Sequence, residues 1–130
     1  LKLAKYPSYI GFDISPTAIA LCRKLFPNDP AIRFALLDDY NGEKADLTLS
    51  LDVVYHLVED EVFEDHMKML FDAAKRFVII YSINSDTFEE KASHIRVRKF
   101  SNWIDQNRTD WTLLKFIPNK AKINVISPVW

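Results

Sequence analysis

Asp13 closes the apolar run Tyr9-Ile10-Gly11-Phe12, and Ser15 and Pro16, residues that open a helix, follow almost at once. In open α/β sheets, ligands sit beyond the carboxyl ends of the strands. A carboxylate there accepts both hydroxyls of a ribose, so Asp13 is a candidate nucleoside contact. Asp38 and Asp39 close a second apolar run, Ile32 to Leu37, in the same way. His56 and His94 each follow an expected strand, and a neutral imidazole there is a reasonable general base. Arg96 and Arg98 alternate with Ile95 and Val97. If the stretch is extended, both guanidinium groups point to one side and could grip a carboxylate or phosphate, although the same charges would also keep a strand edge from aggregating. Asp52 and His56 lie four residues apart without further ligands at metal spacing, so no metal site is expected.

These residues need elements to position them. The pattern predicts a strand over about residues 9–13 and a helix capped by Ser15 with Pro16 at its first position, where the missing N–H costs nothing. Ile19, Cys22, Arg23 and Phe26 recur at helical spacing, which makes Cys22 a core residue, and Pro27, Asn28 and Pro30 stop the helix. A strand follows over 32–37, then a turn at Asn41-Gly42, then a strand from Ala45 that leaves the sheet near Ser50 or Leu51. A helix begins near Glu59 and carries an apolar stripe of Val62, Phe63, His66, Met67, Leu70, Phe71 and Ala74, so His66 is expected to be packed rather than ligating. Arg76 to Ser82, β-branched and almost wholly apolar, reads as a strand central in the sheet. A helix near Phe100 to Gln106 and a late strand from Thr112 to Ile117 complete the order, with Leu1 to Lys5 as the end of an earlier helix. Strands alternating with helices imply an α/β fold, a mainly parallel sheet with helices on both faces.

Composition bounds the reading. The 130 residues, 48% apolar and 27% charged, suit one domain with a real core spanning 1–130. A net charge of -1 argues against a generally basic nucleic-acid-binding surface, with a local patch left open. One cysteine excludes an internal disulfide framework and fits a reducing, cytoplasmic setting. No apolar run reaches membrane-spanning length, so no membrane partner is expected. Gly11 and Gly42 are the only glycines, where average usage would give roughly nine. That deficit, with only twelve residues before Asp13, reads as a domain whose glycine-rich opening loop is missing.

Three stretches together resemble the class I S-adenosylmethionine-dependent methyltransferases of Rossmann-like fold, over roughly Leu3 to Ile117: Tyr-Ile-Gly-Phe-Asp-Ile-Ser-Pro at 9–16, Ile-Arg-Phe-Ala-Leu-Leu-Asp at 32–38, and Ala-Asp-Leu-Thr-Leu-Ser-Leu-Asp-Val-Val-Tyr-His-Leu at 45–57. The resemblance implies that Asp13 holds the cofactor ribose and Ile14 lines the adenine. It implies that Asp38, with Asp39 beside it, accepts from the adenine amino group, and that Ser50, Leu51 and Asp52 border the cofactor with His56 nearby. The implied reaction is methyl transfer from S-adenosylmethionine to a small-molecule acceptor, with His56 or His94 as the base and Arg96 and Arg98 as acceptor contacts. The absent glycine-rich loop departs from the family, as does the short stretch 119–130 where a final strand belongs. The chain also lacks the Asn- or Asp-Pro-Pro-aromatic tetrapeptide of the nucleobase amino-methylating subclass.

Two rival readings stay open. A nicotinamide-dependent oxidoreductase also places an acid after its second strand, but its dinucleotide fingerprint is missing here. A non-catalytic binding or scaffold domain could keep the fold without the cofactor loop.

Overall fold

A computed structural model describes residues 6–87 and 92–118; the stretch 1–5, read as a helix end, and the stretch 119–130, which departs from the family where its final strand belongs, lie outside the described residues. The chain forms two compact units, one from residues 1–51 and 59–81 and the other from 52–58 and 82–130.

The first unit has the order β1 (Tyr9–Asp13), α1 (Pro16–Leu25), β2 (Ile32–Leu36), β3 (Ala45–Leu51), α2 (Asp60–Ala73) and β4 (Ala74–Tyr81). The class is α/β, and both strand pairs are parallel: β1 with β2, and β3 with β4. The expected single sheet is not what the described strands form, because they make two separate two-stranded sheets.

α1 starts where expected. Ser15 has extended backbone, and its Oγ accepts from the Ala18 N–H at 3.2 Å, with Pro16 in the first turn. The helix ends at Leu25, and Asn28 takes a left-handed φ of 64° that reverses the chain toward β2. Ile19 of α1 and Phe34 and Ala35 of β2 are buried together in this half of the core. Gly11 is needed by space rather than by φ. A Cβ there would lie 3.0 Å from Phe34 Cδ1 and 3.1 Å from Tyr9 Cε1.

α2 carries its apolar residues at i, i+4, i+7 and i+8, so Phe63, Met67, Leu70 and Phe71 are all buried. Val62, read into the same stripe, is exposed instead. The stripe rests on one face of the second sheet, where Thr48 Oγ1 donates to the Leu70 carbonyl at 2.9 Å and Ser50 meets His66. The opposite face carries the register pairs Leu47–Phe77, Leu49–Ile79 and Leu51–Tyr81, each side chain 41% to 53% exposed. β4 is not the central strand its composition suggests. Its alternate side chains face water, and β3 is its only strand partner among the described residues.

In the second unit, the turn Val54–His56 is anchored by Val54, which is 1% exposed. Asn84 bridges in parallel to Arg98, and α3 (Phe100–Asn107) follows, with Asn84 and Ser101 exchanging two side-chain hydrogen bonds. The expected strand at Thr112–Ile117 does not form. No described segment pairs with it, and Leu113, Leu114, Phe116 and Ile117 are exposed. Apolar content alone makes no strand without a ladder partner.

Candidate functional site

In the first unit, the candidate acids gather at one edge. Asp13 is the last residue of β1 and stands in register with Leu36, the last residue of β2. Asp38 and Asp39 lie two and three residues beyond Leu36, in a single 3-10 turn. Parallel pairing therefore brings Asp13 and Asp38 to the carboxyl ends of neighbouring strands, both exposed. Asp13 Oδ1 accepts from the Ser15 N–H at 2.7 Å, which fixes the carboxylate against the start of α1. Ile14, between them in sequence, is 81% exposed and offers an apolar surface beside the carboxylate.

The loop after β2 is held by Glu43. It accepts from the Asn41 N–H at 2.8 Å and from Arg33 at 2.7 Å, and these contacts hold its carboxyl below the usual carboxylate range, the backbone bond first. A shallow concavity of about 480 Å³ opens at the start of β2, lined by Arg23, Pro27, Asn28 and Asp29 among others. It lies at the opposite end of β2 from Asp38, and Arg23 there donates to the Phe34 carbonyl at 2.8 Å. The strand-end carboxylates, not the concavity, occupy the edge where ligands of open α/β sheets sit.

Ser50 and Leu51 end β3. Ser50 is 2% exposed, and its Oγ lies 2.9 Å from His66 Nε2, so the hydroxyl joins strand to helix. Burial pushes the His66 imidazole below its ordinary pKa, as expected of a packed histidine. Leu51 is exposed, and Cys22 is half-buried on α1.

The second unit brings both candidate histidines together. His56 and His94 are exposed, with ring centroids 6.2 Å apart and planes 14° from parallel. His56 Nδ1 also makes a long contact of 3.5 Å with the His94 carbonyl oxygen. Arg96 and Arg98 do not extend freely from a strand. The Arg96 N–H donates to the Tyr55 carbonyl at 2.8 Å, and its guanidinium donates to the Val58 carbonyl at 2.8 Å. Arg98 donates to the Leu57 carbonyl and, at 2.7 Å, to the Val58 carbonyl. The two arginines thus lace the 52–58 segment to the 94–98 segment and hold the histidine pair in place.

Asp52, where the chain leaves β3, has a φ of 57°, a left-handed conformation that costs a non-glycine residue some strain. Two features were not singled out in the sequence. The Tyr55 ring lies 4.3 Å from the His56 ring, and Ser82 Oγ is buried without a hydrogen-bond partner among the described residues. An aromatic residue next to a histidine could have pointed to the first; nothing in the local pattern signals the second. Among the described residues no three His, Cys, Asp or Glu side chains converge as a metal site would need, and no helix is long and apolar enough to cross a membrane. Comparison of the chain with protein-family models, curated proteins and solved structures finds no match.

Proposed function

We propose that the chain carries the nucleoside-binding edge of an S-adenosylmethionine-dependent methyltransferase of Rossmann-like fold, acting on a small-molecule acceptor. The observation that carries this reading is the parallel register of β1 and β2, which pairs Asp13 with Leu36 and so leaves Asp13 and the turn bearing Asp38 at the carboxyl ends of neighbouring strands. Exposed carboxylates at that edge, next to the exposed apolar side chain of Ile14, suit a ribose and a purine.

On this reading, Asp13 accepts from the ribose hydroxyls with the oxygen not engaged by Ser15, and Asp38, with Asp39, accepts from the purine amino group. Ile14 shields one face of the base from water. Bound there, the cofactor would supply an electrophilic methyl group on a sulfonium.

The test is calorimetric titration of the full-length protein with S-adenosylhomocysteine. Saturable binding is expected. Asp13→Ala should weaken it by about tenfold or more, since hydrogen bonds to a charged group contribute roughly 1.5–3 kcal/mol. Unchanged affinity in a folded Asp13→Ala protein would remove that assignment. If the intact protein binds no S-adenosylhomocysteine, the reading falls, and a spectral titration with NADH then separates a nicotinamide enzyme from a non-catalytic domain.

A further inference from the structure

We infer that Tyr40 is the positioning residue of the acid edge. Its ring and hydroxyl tie the turn bearing Asp38 and Asp39 to β1 and to the loop behind it, and so set a preference for adenine over hypoxanthine, the ligand being the nucleoside proposed above. Asp38 and Asp39 are exposed, whereas Tyr40, next in sequence, is half-buried. Its ring meets that of Phe12 edge to face, 5.4 Å between centres and at 90°, and Phe12 immediately precedes Asp13 on β1. Its N–H donates to the Leu37 carbonyl at 3.0 Å, and its hydroxyl donates to the Glu43 carbonyl at 3.2 Å.

The contacts run on until they close. Gly42, at a φ of 78°, turns the chain so that the Glu43 carboxylate accepts from the Asn41 N–H and from Arg33 of β2. The Arg33 guanidinium in turn lies 5.9 Å from the centre of the Phe12 ring. Phe12, Tyr40, Glu43 and Arg33 thus form a ring of contacts joining both strands to the acid turn, and displacing one member breaks its contacts to two others. Lys44 Nζ donates to the Asp72 carbonyl at 2.5 Å, which fastens the far end of the loop to α2. Burial first, then the Glu43 and Asp72 carboxylates, hold the Tyr40 phenol above its ordinary pKa, so its hydroxyl stays a donor.

A held carboxylate discriminates where a loose one does not. Ionised, Asp38 only accepts hydrogen bonds: it gains one from the amino group of adenine and meets a second acceptor in the oxo group of hypoxanthine. A free turn would swing away from the mismatch at little cost, but a tied one keeps the two acceptors opposed. Asp13, on the ribose common to both, contributes affinity without preference.

The test is calorimetric titration of the full chain with S-adenosylhomocysteine and S-inosylhomocysteine. The wild type should prefer the adenosyl compound by about tenfold or more, the difference one hydrogen bond to a charged group makes. Tyr40→Leu, which removes ring edge and hydroxyl together, should bring the two affinities toward equality, and Glu43→Ala, which cuts the same ring of contacts in the loop, should do likewise. Tyr40→Phe, which keeps the Phe12 contact, should retain part of the preference. Asp13→Ala should weaken both ligands alike and leave the ratio unchanged, as would any merely structural loss. A wild type that binds both without preference overturns the inference alone, as does a wild-type ratio in Tyr40→Leu or Glu43→Ala protein shown by circular dichroism to be folded. A wild type that binds neither overturns the nucleoside reading and this preference together.

Discussion

Acid should destabilise the first unit through His66, and the sign follows from where that side chain sits. Its Nε2 meets Ser50 Oγ at 2.9 Å on the buried face between α2 and β3, and burial holds its pKa below the ordinary value of 6.5. The native state thus resists a proton that the unfolded chain takes up as pH falls through 6.5. Stability is complete above that pH and falls as pH drops toward the lowered native pKa, where the loss levels off. One proton sets the steepest possible slope, about 1.4 kcal/mol per pH unit inside that window. Urea unfolding midpoints measured across the window on the wild type and on His66→Gln, which keeps a polar partner for Ser50 but cannot titrate, provide the assay. The variant should have the flatter profile. Parallel loss of stability in the two proteins would refute the reasoning.

Gly11→Ala should cost about 1–3 kcal/mol in chemical denaturation, because the added methyl meets the Phe34 ring at 3.0 Å in a filled core; an unchanged midpoint would show that the ring yields freely. Ser15→Ala should cost about 1 kcal/mol by the same measurement, through loss of the N-cap on Ala18. Arg98→Ala should speed hydrogen exchange of the Arg96 amide, since it removes two of the bonds that hold the 52–58 segment against its neighbour; unaltered exchange would mean that Arg96 holds that segment alone.

The local signals in the sequence were those whose cause is local. Ser15 and Pro16 announced α1, the apolar runs before Asp13 and Asp38 announced β1 and β2, and the spacing of Phe63, Met67, Leu70 and Phe71 placed His66 on a packed face. β2 stops at Leu36, one residue short of the reading, because Leu37 joins the turn that carries the two acids. What depends on a distant partner was not legible. Arg76 to Ser82 looks central in a sheet from its β-branched and apolar content, yet β4 pairs with β3 alone among the described residues and Phe77, Ile79 and Tyr81 face water, because neighbouring and covering elements are not encoded in local periodicity. Thr112–Ile117 forms no strand for the same reason, since no described segment pairs with it. The meeting of His56 and His94 was invisible too, since they are brought together by arginine-to-carbonyl bonds 38 to 41 residues apart in sequence. Arg96 and Arg98, read as hands for an anion, are engaged in that tie.

The exposed apolar pairs of β3 and β4 govern how this polypeptide behaves in a test tube. Six large side chains, five of them hydrocarbon and one a phenol, share one pleated surface that attracts any similar surface, and β3 and β4 have no other strand partner among the described residues. Solutions should therefore scatter more light as they are concentrated, and more strongly in sulfate, which drives hydrocarbon out of water, than in chloride at equal ionic strength. Purification at low concentration and without sulfate precipitation follows directly from Leu47, Leu49, Leu51, Phe77, Ile79 and Tyr81.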